Sequence, residues 1–117
     1  MKVFFFIGII LFFSFSIYAE NGVYLGANLP PGSKSVNEAG RFISSRSYAD
    51  TIDFYERTYG HNRPENKLIK WIPIAALPGI RATHIQSISE KTLWEGINVY
   101  ETSGTVKIFV LAKKEKS

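Results

Sequence analysis

From Val3 to Phe15 the chain carries no charged residue, and this run follows a single basic side chain, Lys2. Such a stretch partitions into a bilayer. It gives way at Ser14 and Ser16 to Ile17-Tyr18-Ala19, with a small residue in last place and an aliphatic one two positions earlier, the arrangement a signal peptidase accepts. Residues 1–19 are predicted to be a secretory signal peptide cut between Ala19 and Glu20. Retained, the same run would act as a membrane anchor, since Val3 to Tyr18 approaches the ~17–25 apolar residues that span a bilayer. The short apolar core and the Ala19 site favour cleavage.

Beyond the leader the pattern changes. Gly22, Gly26, Pro30, Pro31, Gly32 and Gly40 punctuate the next segment, with Ser and Asn between them, and this composition favours turns and loops. Residues 20–46 therefore read as an irregular N-terminal arm, with Arg41-Phe42-Ile43-Ser44 as a short strand near its end. A helix follows. Ser47 is its N-cap, with Asp50 three residues on, where a carboxylate also suits the positive end of the helix dipole. Tyr48, Ile52, Tyr55 and Tyr59 recur at helical spacing and make one apolar stripe, while Asp53, Glu56 and Arg57 fall on other faces. Gly60 is the stop signal.

The pattern then shifts to strands. Lys67 to Ile72 is the first, and Pro73, which has no amide proton for a ladder, places it at a sheet edge or a bulge. Leu77-Pro78-Gly79-Ile80 has the order of a type II turn and predicts a reversal. Arg81 to Ser87 is the second strand. In the third, Trp94 to Tyr100, Ile97 and Val99 share one side, opposite Asn98 and Tyr100, with Gly96 marking a bulge. Ser103-Gly104 is a two-residue hairpin signal. In the last strand Val106, Ile108 and Val110 point one way and Lys107, Phe109 and Leu111 the other.

Helix first and strands afterwards, joined by short turns, is the α+β pattern: one amphipathic helix packed on a mainly antiparallel sheet of about four strands. The stripe of Tyr48, Ile52 and Tyr55 is expected to lie on Ile97, Val99, Val106, Ile108 and Val110. Residues 20–117 suffice for one domain, with the small α+β body at 47–117. Dimerisation through the exposed sheet face or an edge strand would add burial.

Composition sharpens the setting. The chain contains no cysteine, which rules out lipid attachment after the leader, disulfides and a thiol nucleophile. For an exported domain this points to a periplasm before a eukaryotic secretory route. Six of the nine Phe lie in the leader, so the whole-chain hydrophobic fraction of 45% overstates the core. The formal net charge of +4 includes Lys2 and leaves a mild basic excess. Such an excess is either ordinary solubility charge or attraction to an anionic surface such as phospholipid, lipopolysaccharide or a cell-wall polymer.

No complete catalytic set is legible. The Gly-x-Ser-x-Gly elbow and both glycine-rich phosphate cradles are missing from the sequence, so nucleotide chemistry is not expected, and no cofactor is. His61 and His84 are the only histidines and lack zinc-ligand spacing, so no metal is expected. Ser45, Arg46 and Ser47 at the helix start could hold an anion, although Ser47 as a cap and Arg46 as the partner of a nearby acid is the favoured explanation. His84 could meet Glu95 or Glu101 across strands as an acid/base pair. Trp71 and Trp94 could line a groove for a sugar or peptide, unless they are core. Basic residues beside aromatics, as in Lys70-Trp71, suit nucleic acid, but export argues against that partner.

The leading expectation is a non-enzymatic binding or interaction module of the cell envelope, periplasmic or secreted, engaging an envelope protein, peptide or glycan through its sheet face or an edge strand. A small hydrolase built on His84 with Glu95 or Glu101 is the runner-up. A membrane-tethered accessory subunit is the third reading, should the leader stay attached.

Overall fold

Helix α1 (Tyr48–Tyr59) begins where the capping pattern places it: the Ser47 hydroxyl accepts from the Asp50 amide at 3.1 Å. Its C-terminal neighbour Gly60 has an extended backbone, φ −74°, so the stop does not use a left-handed residue. A side chain there would collide with the Glu56 carbonyl, 2.2 Å from where a Cβ would sit. The computed structural model describes residues 22–36, 38–74 and 80–114. The leader and the predicted reversal at Leu77–Ile80, apart from Ile80 itself, lie outside these described residues.

The strands in chain order are β1 (Val23–Tyr24), β2 (Ala27–Asn28), β3 (Lys34–Ser35), β4 (Arg41–Ser44), β5 (Ile69–Pro73), β6 (Arg81–Ser87), β7 (Trp94–Thr102) and β8 (Thr105–Ala112), with a 3₁₀ turn at Pro64–Asn66. β1 and β2 form a small hairpin of their own. The other six make one antiparallel sheet in the order β3-β4-β8-β7-β6-β5. The α+β class and the helix-on-sheet packing hold, but the sheet has six strands where about four were expected. The difference comes from the arm. β3 and β4 belong to it, and β4 pairs with the C-terminal strand, Arg41 opposite Phe109 through Ser44 opposite Val106.

Sheet order follows from where short turns are available. Ser103 (φ 53°) and Gly104 (φ 78°) both adopt left-handed backbone, as a tight hairpin with twist-matched strands requires, and they join β7 to β8 at the Thr102–Thr105 pair. β5 lies at the sheet edge, with Pro73 as its last residue. β4 and β5 run in the same direction at distant positions of the sheet, so α1 carries the chain across one face between them.

That face is the core. Phe42 from β4, Val106, Ile108 and Val110 from β8, Ile97 and Val99 from β7, Ile85 from β6 and Ile69 from β5 are all buried there. Thr51 and Tyr55 are the buried residues of α1, with Tyr48, Ile52 and Tyr59 partly buried beside them. Trp94 packs against Tyr59, ring centroids 5.2 Å apart, and Tyr59 stacks on Tyr55. The arm is fastened to this layer. The Tyr55 hydroxyl donates to the Asn28 carbonyl at 2.9 Å, the Asn28 amide donates to the Tyr59 hydroxyl at 3.0 Å, and Ala27 and Leu29 are buried. Two tyrosines of the predicted stripe thus hold both backbone polar groups of one arm residue.

Candidate functional site

Alternation along each strand sends every second side chain to the face opposite α1, and the register states which of them lie side by side. One row runs Ile72, His84, Asn98, Phe109, Arg41 across β5, β6, β7, β8 and β4. A second row holds Lys70, Gln86, Gly96 and Leu111. A third holds Ala82, Tyr100, Lys107, Ile43 and Lys34. Among the described residues no helix or strand packs over this face, and most of its side chains are half-buried by their neighbours alone.

His84 stands at its centre. Its Nδ1 lies 2.5 Å from the Asn98 side-chain oxygen and its Nε2 2.8 Å from that of Gln86. A neutral imidazole donates through one nitrogen and accepts through the other, and each amide can offer it either its oxygen or, turned over, its NH₂. Gly96 makes room for this arrangement: a Cβ there would sit 2.6 Å from His84 Cε1 and 3.3 Å from Leu111 Cδ1. The glycine that reads as a bulge signal does coincide with the register shift between Trp94 and Gly96, and it also seats the imidazole.

The structure does not bring His84 to the carboxylates expected beside it. Glu101 is an odd-numbered β7 residue on the α1 face, where Arg81 Nη2 holds it at 2.5 Å and the same guanidinium lies over the Tyr48 ring. Glu95 is the residue at the bulge, and both ring nitrogens of His84 are taken by amides. A strand period of two puts neighbours in sequence on opposite faces, which is the physical reason a nearby number is not a nearby side chain.

The remaining expected site residues are dispersed. Ser47 spends its hydroxyl on capping, the Ser44 hydroxyl accepts from the Arg46 amide, and Ser45 is exposed with its side chain lying over Gly32. Arg46 forms no ion pair among the described residues. Trp94 is 2% exposed, which makes it core and removes it from any ligand contact. Trp71 donates its indole N–H to the Tyr59 carbonyl at 3.0 Å and lines an open groove of about 690 Å³ with Asp53, Glu56, Arg57, His61, Asn62 and Arg63. Charges of both signs are mixed there, and Asp53 and Arg57 pair with each other. Among the described residues no group of three potential ligands could hold a metal ion.

Charge is segregated on the open sheet face. Lys34, Arg41, Lys70 and Lys107 stand on it, and none of its regularly paired positions among the described residues is acidic; Glu95 lies at the bulge beside Gly96. A carboxylate at its border, Glu38 of the β3–β4 loop, pairs with Arg41 at 3.1 Å. Arg41 also lies over the Phe109 ring, 4.1 Å from its centroid. Val36, Glu38, Arg41, Ile43, Tyr100 and Lys107 surround a depression of about 310 Å³ between the loop and the sheet. Alternation along β7 and β8 is enough to separate these two sides, but of this surface only His84 stands out by residue type. Its other members become neighbours only through the register of strands far apart in the chain. Comparison with protein-family models, curated proteins and solved structures found no match to this chain.

Proposed function

We propose that this chain is an exported, non-enzymatic interaction module of the cell envelope that engages its partner through the open face of its six-stranded sheet. The observation that carries the reading is the composition of that face: four basic side chains, flat aromatic and aliphatic surface at Tyr100, Phe109 and Ile43, and a central imidazole–amide cluster, with Glu95 at the β7 bulge the one strand carboxylate beside it among the described residues. Such a surface offers long-range attraction for an anionic partner and short-range hydrogen bonds at its centre. His84 flanked by two amides supports recognition over proton transfer, because neither neighbour can take up or supply a proton in the working pH range. Export is supported by the Val3–Ala19 leader pattern.

The test is retention of the full, natively exported chain on its own envelope fraction, with the N-terminus of the recovered protein sequenced. Reversing charge on the open face, K70E with K107E, is expected to lower retention about tenfold, while R57E on the helix side changes it less than about twofold. Equal retention of all three proteins would end the reading. The expected first residue is Glu20; an intact Met1 would instead indicate the tethered accessory subunit.

A further inference from the structure

Resting on the reading that the open sheet face is the contact surface, the chemistry of the partner can be narrowed from what that face presents. The depression beside Tyr100 contains two cations, Arg41 and Lys107, and one carboxylate, Glu38, which is already paired with Arg41. Lys107 forms no ion pair among the described residues. One positive charge is therefore in excess, which complements a single carboxylate better than a doubly charged phosphate monoester. The lining also includes the half-exposed ring of Tyr100 with Val36 and Ile43, and parts of Phe42 and Ile108, an apolar floor of the kind that takes the apolar face of a sugar ring.

Two alternatives fit this surface less well. A peptide that binds by strand addition needs the free backbone groups of the edge strands β3 and β5, whereas the two cations of the depression and the His84 cluster stand on β4, β8, β7 and β6, which have partners on both sides. A lipid surface favours an apolar centre, whereas the next row of this face is centred on His84 and Asn98, with Gln86 beside them. Imidazole and amide groups in that position match ring hydroxyls. We infer that the open face binds a carboxylated glycan, with one acidic sugar seated in the Tyr100–Lys107 depression and the chain continuing over the His84–Asn98–Gln86 cluster toward Lys70. Lys107 and Lys70 are three strands and four residues apart, about 20 Å from the strand spacing and rise, so an oligomer is needed to reach both.

Isothermal titration of the full processed chain with oligogalacturonate tests this, alongside its methyl-esterified form, poly-glutamate and phosphatidylglycerol vesicles. Binding of oligogalacturonate is expected, with about tenfold loss on esterification and a similar loss in K107A and in Y100L, circular dichroism verifying that both variants are folded. R57A should bind as the unaltered chain does. Equal binding of poly-glutamate or of the vesicles, or an unchanged Y100L, would overturn the inference. If oligogalacturonate fails to bind while envelope retention still responds to K70E with K107E, the glycan is wrong and the face stands. If retention is also unresponsive, both fall.

Discussion

Gly96 shows how much a single residue can decide here. Its missing side chain lets the His84 ring lie against the β7 backbone, 2.6 Å from where a Cβ would be, and this holds the ring within reach of both amides. Gly96→Ala is expected to displace the imidazole and cost about 1–3 kcal/mol, the range for leaving half-buried polar groups without partners. Urea denaturation gives the cost, and the His84 ring resonances in NMR should move; unchanged resonances would contradict the account. Leu25 illustrates the opposite relation between residue and backbone. It takes a left-handed conformation, φ 53°, in the β1–β2 turn, where the side chain is unfavourable by about 1–2 kcal/mol. Its packing against the core offsets that cost, and no local pattern could reveal it.

At the scale of elements, the structure ties down what the composition of the arm suggested would be loose. Gly and Pro density reports the backbone freedom of a segment in isolation, and the Gly-Pro-rich stretch does contain turns. Yet Ala27 and Leu29 enter the core, Asn28 is held by Tyr55 and Tyr59, and β4 supplies a strand of the main sheet. Leu29→Ala is accordingly expected to cost about 2–5 kcal/mol, as for a buried leucine of a central element. A peripheral arm would lose within about 0.5 kcal/mol, so chemical denaturation separates the two. The helix and the β7–β8 hairpin, by contrast, were legible because their signals are local: a cap, a stripe of period 3.6, and a Ser-Gly turn between alternating runs.

At the scale of the molecule, the tyrosines at the helix–sheet boundary couple stability to alkaline pH. Burial holds the Tyr55 hydroxyl well above its ordinary value of 10.0, with the neighbouring Tyr59 pushing it the same way. Burial also raises Tyr59, partly opposed by the hydrogen bond from Asn28. The folded state keeps these protons longer than the unfolded chain does. Their contribution is therefore complete below about pH 10 and declines as pH rises toward the folded values, by up to about 1.4 kcal/mol per pH unit for each group. Melting temperatures from about pH 8 to pH 11 should fall in that upper range, and Tyr55→Phe should flatten the fall while costing about 0.5–1.5 kcal/mol near neutrality through the lost bond to Asn28. An alkaline limb equally steep in the variant would contradict this. The amino-acid sequence by itself determined the helix, the side of β7 and β8 each residue faces, the tight turn between them and the α+β class, because each depends on periodicity or on chemistry within a few residues. Tertiary structure alone decided that β4 closes against β8, that the arm enters the core, and that Arg41, Tyr100, Lys107 and His84 share one surface. Pairing of distant strands depends on which faces bury the most apolar area together, and that quantity has no expression in any short window of the chain.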